Sequence, residues 1–229
     1  MIFFEYLIFI AVGYLIGSVP FGLIAARVAS GVDVRDFGSG KTGMTNVIRT
    51  SGKKVGMLVL LLDMSKAVIA IAVVIAFSDT PGLQSAAGLA AVLGHNFPVF
   101  AGFRGGRGIA TGWGGLFILS PWAGLIATGV GVPLVFLSKY VSLGSIVGAT
   151  SGCVALIALA ATGVIETDFM WYGIVGAPAV VIRHYDNILR LIRGEERKLG
   201  AKGEPAPAQA VDGEQQAAEG VEPAQDRAG

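Results

Sequence analysis

Four short polar segments interrupt an otherwise apolar chain, and each carries groups suited to holding an anion. Residues 38–50, GSGKTGMTNVIRT, set Gly38, Gly40 and Gly43 among Ser39, Thr42, Thr45 and Asn46, close to Arg49. Glycines let backbone amides turn toward an anion, and the polar side chains add donors. Gly40-Lys41-Thr42 resembles part of a Walker A loop, but position 35, where that motif needs a glycine, is Arg, and no strand precedes it. In residues 94–111, GHNFPVFAGFRGGRGIAT, Arg104 and Arg107 flank two glycines. Bare backbone between two guanidiniums suits bidentate contact with phosphate oxygens. His95 and Asn96 precede them at a membrane boundary, where polar groups converging with arginines argue for binding. A third segment offers Ser142 and Ser145 after Lys139, and a fourth sets Arg183 beside His184, with Asn187 about one helical turn on. Arg190, Arg193, Arg197 and Lys198 follow on what reads as a short interfacial helix drawn to anionic lipid headgroups. The two histidines, His95 and His184, are the main candidates for a general base. With no HExxH, cysteine cluster or GxSxG, the sequence supports neither a metal site nor GxSxG-type serine hydrolase chemistry.

The elements that must position these residues are membrane helices. The 229 residues are 53% hydrophobic and 14% charged, too apolar for a soluble domain of this size, so lipids are the expected surroundings and nucleic acid is not an expected partner. Thirty-four glycines suit tight helix packing in a bilayer. Candidate spans are residues 2–26, 55–77, 81–103, 140–162 and 169–182, plus an uncharged stretch from Gly108 to Ser138 that Ser120-Pro121 can break. The first span carries Glu5 instead of a basic n-region and reads as retained. If residues 108–138 cross twice, every Lys and Arg outside the spans falls on one side, and the opposite loops hold only Asp79, Glu166 and Asp168. The positive-inside rule thus selects an all-α integral membrane protein of seven transmembrane helices, with the N-terminus outside and the C-terminus cytoplasmic. All four polar segments then share the cytoplasmic face. Asp63 and Lys66, at i and i+3 in the second span, form an expected ion pair, and Cys153 reads as packing. Residues 1–200 form the membrane domain, and residues 201–229 read as a disordered, acidic Ala/Pro/Glu-rich tail.

Gly17-Ser-Val-Pro-Phe-Gly22, Gly38-Ser-Gly through Thr45-Asn46 to Arg49, Gly94-His-Asn-Phe-Pro-Val-Phe100, Gly105-Gly-Arg-Gly108, Ser142 to Ser145 and His184 to Asn187 occur in that order. Together they resemble the bacterial acyl-phosphate:glycerol-3-phosphate acyltransferases. The resemblance implies a multi-pass protein of the bacterial inner membrane with its site facing the cytoplasm. It would move an acyl group from acyl phosphate to the 1-hydroxyl of glycerol 3-phosphate, giving lysophosphatidate and phosphate without coenzyme A or another cofactor. It implies contact with the enzyme that makes acyl phosphate. Carried over by motif, Ser39, His184 and Asn187 are the catalytic candidates. Gly38, Gly40, Thr45, Asn46, Arg49, His95, Arg104, Arg107, Ser142 and Ser145 are the substrate- and phosphate-binding candidates. Lys41, Met44 and Arg107 replace the family's usual Asn, Ala and Lys. The same basic face also fits a transporter or channel for a phosphorylated anion, although the outer loops offer no basic residue to attract one.

Overall fold

The computed structural model describes residues 2–200, so the tail expected over 201–229 lies outside the described residues. Among the described residues the chain has no strand and ten α-helices: α1 (Ile2–Gly17), α2 (Phe21–Ser30), α3 (Met44–Ser51), α4 (Lys53–Phe77), α5 (Pro81–Asn96), α6 (Ile109–Leu119), α7 (Pro121–Ser138), α8 (Val141–Ala161), α9 (Met170–Arg183) and α10 (Tyr185–Arg193). Large apolar side chains cover the outside of this bundle. Phe4, Leu61, Phe77, Trp122, Leu137 and Ile182 are all more than half exposed, a surface that lipid solvates and water does not.

Small residues set the helix contacts. Gly13 and Gly17 of α1 lie against the carbonyls of Ala87 and Ala91 on α5, where any Cβ would collide with backbone. Gly144, Gly148 and Gly152, at four-residue spacing on α8, meet Gly131, Ala127 and Ala123 of α7. Close backbone approach through small residues is the usual device for joining helices in lipid, where no hydrophobic force pulls them together.

Several expected boundaries move, each for a local reason. The span expected over 2–26 is interrupted after Gly17, because Pro20 has no N–H to continue the helical bonding. The chain resumes as α2, whose Gly22 lets the carbonyl of Thr42 approach the helix. The span expected over 81–103 ends at Asn96, two residues before Pro98, followed by a 3₁₀ turn at Val99–Ala101. Residues 108–138 do divide at Ser120, whose side chain accepts a bond from the Ala123 amide and caps α7. The resulting hairpin leaves the end of the bundle that holds Gly108 and returns to the same end at Val141, since both residues line one cavity there. Its first arm, α6, has 11 residues and so rises only about 16 Å. Segments 2–30, 53–77, 121–138 and 141–161 have the length and apolarity to cross a bilayer.

The α7–α8 seam should be intolerant of bulk. Gly148→Leu is expected to destabilise the protein by about 1–3 kcal/mol through overpacking, read as a lower thermal unfolding midpoint in detergent. Gly129→Ala on the same α7, where a Cβ meets nothing within 4 Å, should leave the midpoint unchanged or raise it.

Candidate functional site

The loop before α3 is built around one buried side chain. Gly38 and Gly40 have φ values of 56° and 65°, the left-handed conformation glycine adopts without strain, and they fold residues 37–41 back over α3. Asn46 sits beneath them, its amide nitrogen 2.8 Å from the Val34 carbonyl, 2.9 Å from that of Phe37 and 3.0 Å from that of Lys41. Gly38 has no room for a side chain because Asn46 Oδ1 occupies the space. Arg35 fixes the base of the loop, bonding Asp33 and donating to the Ala101 carbonyl at 3.0 Å. That guanidinium holds the Asp33 carboxyl well below the usual carboxylate range.

The glycine-rich turn at 105–108 is pinned in the same way. The Gly106 amide donates to the His95 carbonyl at 3.1 Å, and Arg183 donates to the Gly106 carbonyl at 2.6 Å. Arg183 also lies 4.6 Å from the centre of the Phe97 ring, a cation–π contact. This clasp ties the end of α9 to the loop after α5.

The two loops, the start of α8 and the chain around α10 enclose a cavity of about 200 Å³. Lys41, Arg49, Arg107, Arg190 and Arg197 line it, with Ser39, Thr45, Ser142, Ser145, His184 and Asn187 between them. Leu60, Met44, Ile109, Ala110 and Val141 supply an apolar wall. The cations disfavour one another. Burial, then the nearby Arg190, pushes Arg107 down to about 10, and burial with Arg183 and Arg107 lowers Lys41. Burial and Arg197 lower Arg49. An anion placed among these groups relieves that repulsion, so the cavity suits phosphate.

Glu196 holds one side of the cavity together. Gly194, with φ 71°, turns the chain after α10 back across the bundle, and the Leu199 amide bonds the Lys139 carbonyl at 2.7 Å. The Glu196 carboxylate then accepts from Asn187 at 2.7 Å, Ser142 at 2.8 Å and Arg190 at 2.9 Å. Burial opposes its charge, but the three bonds prevail and keep the carboxyl below the ordinary glutamate value. His184 is almost fully buried, and its Nδ1–H donates to the Val180 carbonyl at 2.8 Å, which leaves Nε2 as an acceptor. Burial, with repulsion from Arg107 and Arg183, pushes it down to about 4. The imidazole is therefore neutral at neutral pH.

Residues 7–194 match the family profile described as glycerol-3-phosphate acyltransferase. The chain belongs to that family. Glycerol-3-phosphate acyltransferase 3 of Dehalococcoides mccartyi strain CBDB1 is 41% identical over 214 residues, covering 88% of this chain and 99% of its own. The glycerol-3-phosphate acyltransferase of Anaeromyxobacter sp. strain K is 43% identical over 200 residues, covering 83% and 95%. Among solved structures, PlsY (YgiH), an integral membrane glycerol 3-phosphate acyltransferase, matches in its glycerol 3-phosphate form with a TM-score of 0.77 and 38% identity, over 85% of this chain and 96% of that one. Its lysophosphatidic acid form matches with a TM-score of 0.76. The chain is thus an integral membrane acyltransferase of this family.

Of the residues singled out from the sequence, Ser39, Thr45, Asn46, Arg49, His95, Arg107, Ser142, Ser145, His184 and Asn187 all line the one cavity. Gly38 and Gly40 shape the loop above it. Arg104 does not come with them: it is exposed, outside the lining, because the turn at 105–106 directs Arg107 inward instead. Lys53 and Lys54 are exposed, as expected of solvated charges. The expected interfacial helix stops at Arg193, and Arg190 and Arg197, assigned from sequence to lipid headgroups, line the cavity. Glu196 was not singled out at all. Its one sequence signal is the pair of acids, Glu195 and Glu196, that follows Gly194 in a segment otherwise basic on that side.

The His184 environment is directly measurable. Its imidazole should titrate near pH 4 by NMR in the folded protein; a midpoint near the ordinary 6.5 would contradict the buried, cation-flanked setting. The sign for stability follows. Between about 4 and 6.5 the unfolded histidine binds a proton that the folded one does not, so acidification through that window favours unfolding, and the contribution is regained above 6.5.

Proposed function

We propose that this acyltransferase uses acyl phosphate as donor, joining its fatty acyl group to the 1-hydroxyl of glycerol 3-phosphate and releasing lysophosphatidate and inorganic phosphate for phospholipid synthesis. The observation that carries this is the convergence of cations from three stretches of the chain on a cavity that also has an apolar wall. Two phosphorylated substrates need two anion-binding regions, and the cations that line the cavity are enough for both. Arg49 with Ser39 and Thr45 receives the phosphate of glycerol 3-phosphate, on a loop that Asn46, Gly38 and Gly40 hold in shape. Arg107, Lys41 and Ser145 receive the acyl phosphate, Ser142 being committed to Glu196. The acyl chain leaves along Leu60, Ile109 and Val141 toward the lipid.

In the reaction the hydroxyl oxygen bonds to the acyl carbon, the acyl carbon–oxygen bond to phosphate breaks, and phosphate departs with the bonding pair. An acyl phosphate is already activated, so alignment and charge stabilisation are the protein's main tasks. His184 Nε2, neutral, accepts a hydrogen bond from the attacking hydroxyl and holds it in line, and Asn187 assists. A histidine near 4 is a weaker base than a phosphate, whose second ionisation lies near about 6, so the departing phosphate takes the proton. No cofactor enters.

The charge bias supports seven membrane passes with the N-terminus outside, α6 and α7 making two of them as a hairpin, and with the site and C-terminus at the cytoplasmic face of the bacterial inner membrane. Residues 1–200 form the enzyme and 201–229 an accessory tail. An amphipathic, labile donor is best delivered by contact with the enzyme that makes it.

Purified protein given acyl phosphate and labelled glycerol 3-phosphate should form lysophosphatidate, and acyl-coenzyme A should not substitute. Arg49→Ala should raise the KM for glycerol 3-phosphate, and Arg107→Ala that for acyl phosphate, each roughly 10- to 100-fold. No product from folded protein contradicts the reading.

A further inference from the structure

Three ionisable side chains lie together at the floor of the cavity, on α4 and α5, and two of them, Asp63 and His95, line it. Asp63 is 1% exposed, Lys66 2% and His95 5%. Charges at such depth in a membrane protein cost several kcal/mol each before their pairing is counted, so a pair of apolar residues would serve packing better. The geometry shows what the pair does instead. Lys66 Nζ lies 2.7 Å from Asp63 Oδ1 and 5.1 Å from the centre of the Phe21 ring, which together hold it as an ammonium. Its third contact is His95 Nδ1, at 3.1 Å. An ammonium has three donors and no acceptor, so the Nδ1 it meets must present a lone pair. Asp63 is farther from the same nitrogen, at 3.4 Å.

We propose that Lys66 and Asp63 are positioning residues that fix the tautomer of His95, leaving Nδ1 unprotonated and the proton on Nε2 as a donor to the phosphate held by the Gly105–Arg107 turn. The other edge of the ring supports this. Nε2 lies against the α-carbon of Gly106, where a Cβ would collide with it, and His95 lines the cavity. Among the described residues no protein acceptor bonds Nε2, and it is not among the fully buried polar atoms left without partners. The His95 carbonyl meanwhile accepts the Gly106 amide, so one residue both pins the turn and offers a hydrogen bond beside it. Asp63 fixes the ammonium, the ammonium selects the tautomer, and the tautomer decides whether Nε2 attracts a phosphate oxygen or repels it. Without Lys66, Asp63 becomes the nearest partner of Nδ1 and, as an acceptor, draws the proton there. Nε2 then turns a lone pair to the phosphate.

This inference rests on the acyl-transfer reading above for the identity of the phosphate, but not for the tautomer. The test is 15N NMR of the histidine side chains in the full-length protein, which has only two, together with steady-state kinetics. The wild-type His95 should show protonated Nε2 and bare Nδ1. Lys66→Met should move the proton to Nδ1 and raise the KM for acyl phosphate roughly 10- to 100-fold, with a smaller change for glycerol 3-phosphate, and Lys66→Arg should restore both. Should Lys66→Met not fold, the double variant Asp63→Leu with Lys66→Met removes the stranded charge together with both neighbours of Nδ1, and its His95 should show a mixture of the two tautomers with a smaller rise in the KM for acyl phosphate. A wild-type His95 protonated on Nδ1, or a folded double variant whose His95 keeps its proton wholly on Nε2, overturns the inference and leaves the acyl-transfer reading standing. Failure of the wild type to form lysophosphatidate overturns that reading while the NMR result still decides the tautomer.

Discussion

Like charges repel, and five cations share one cavity of about 200 Å³ at the end of this helix bundle. Burial lowers Lys41, Arg49 and Arg107, and the neighbouring cations lower each further. Groups in that situation swing toward water unless their backbone and neighbours prevent it. Most of the polar structure at this end of the protein serves to prevent it. Asn46 binds the first loop from beneath, Arg183 clasps the second through Gly106, and Glu196 gathers Ser142, Asn187 and Arg190 from two helices. A rigid, preorganised set of donors binds an anion with little reordering, which is where electrostatic catalysis gains most.

The bundle below supplies the rigidity. Interlocking glycines bring α1 against α5 and α7 against α8 at backbone distance, so α5 and α8, which carry His95 and Ser142 at their ends, have little freedom to shift. The break at Pro20 has a related use. It turns α2 under the first loop, where Gly22 lets the Thr42 carbonyl rest on the helix. The motif around residues 17–22 thus reaches the site without lining it.

Much of this was legible in the sequence, because membrane helices and the loops between them differ sharply in composition. The hydropathy pattern, the break at Ser120 and the clustering of four polar segments all follow from residue type and spacing. Four things did not. Where α5 ends depends on Pro98 and the turn beyond it, a boundary that apolar composition runs straight through. Arg104 and Arg107 look alike on paper, and only the path of the backbone through Gly105 and Gly106 turns one inward and leaves the other outside. Glu196, Arg190 and Arg197 belong to the cavity because Gly194 reverses the chain, and a Gly-Glu-Glu-Arg-Lys stretch by itself looks like solvated surface. Asn46 reads as a ligand contact by type, whereas its amide donors are spent on the loop itself.

We propose that two phosphates share the cation-lined cavity, one at Arg49 and the other at Arg107. The most direct measurement is an experimental structure of this protein with glycerol 3-phosphate and a non-transferable acyl phosphonate bound together. The account predicts one phosphate within hydrogen-bond reach of Arg49 and Ser39, the phosphonate on Arg107, and the free hydroxyl beside His184 Nε2. Both anions bound away from these residues, or the two phosphorus groups separated so that the hydroxyl cannot reach the acyl carbon, would contradict it.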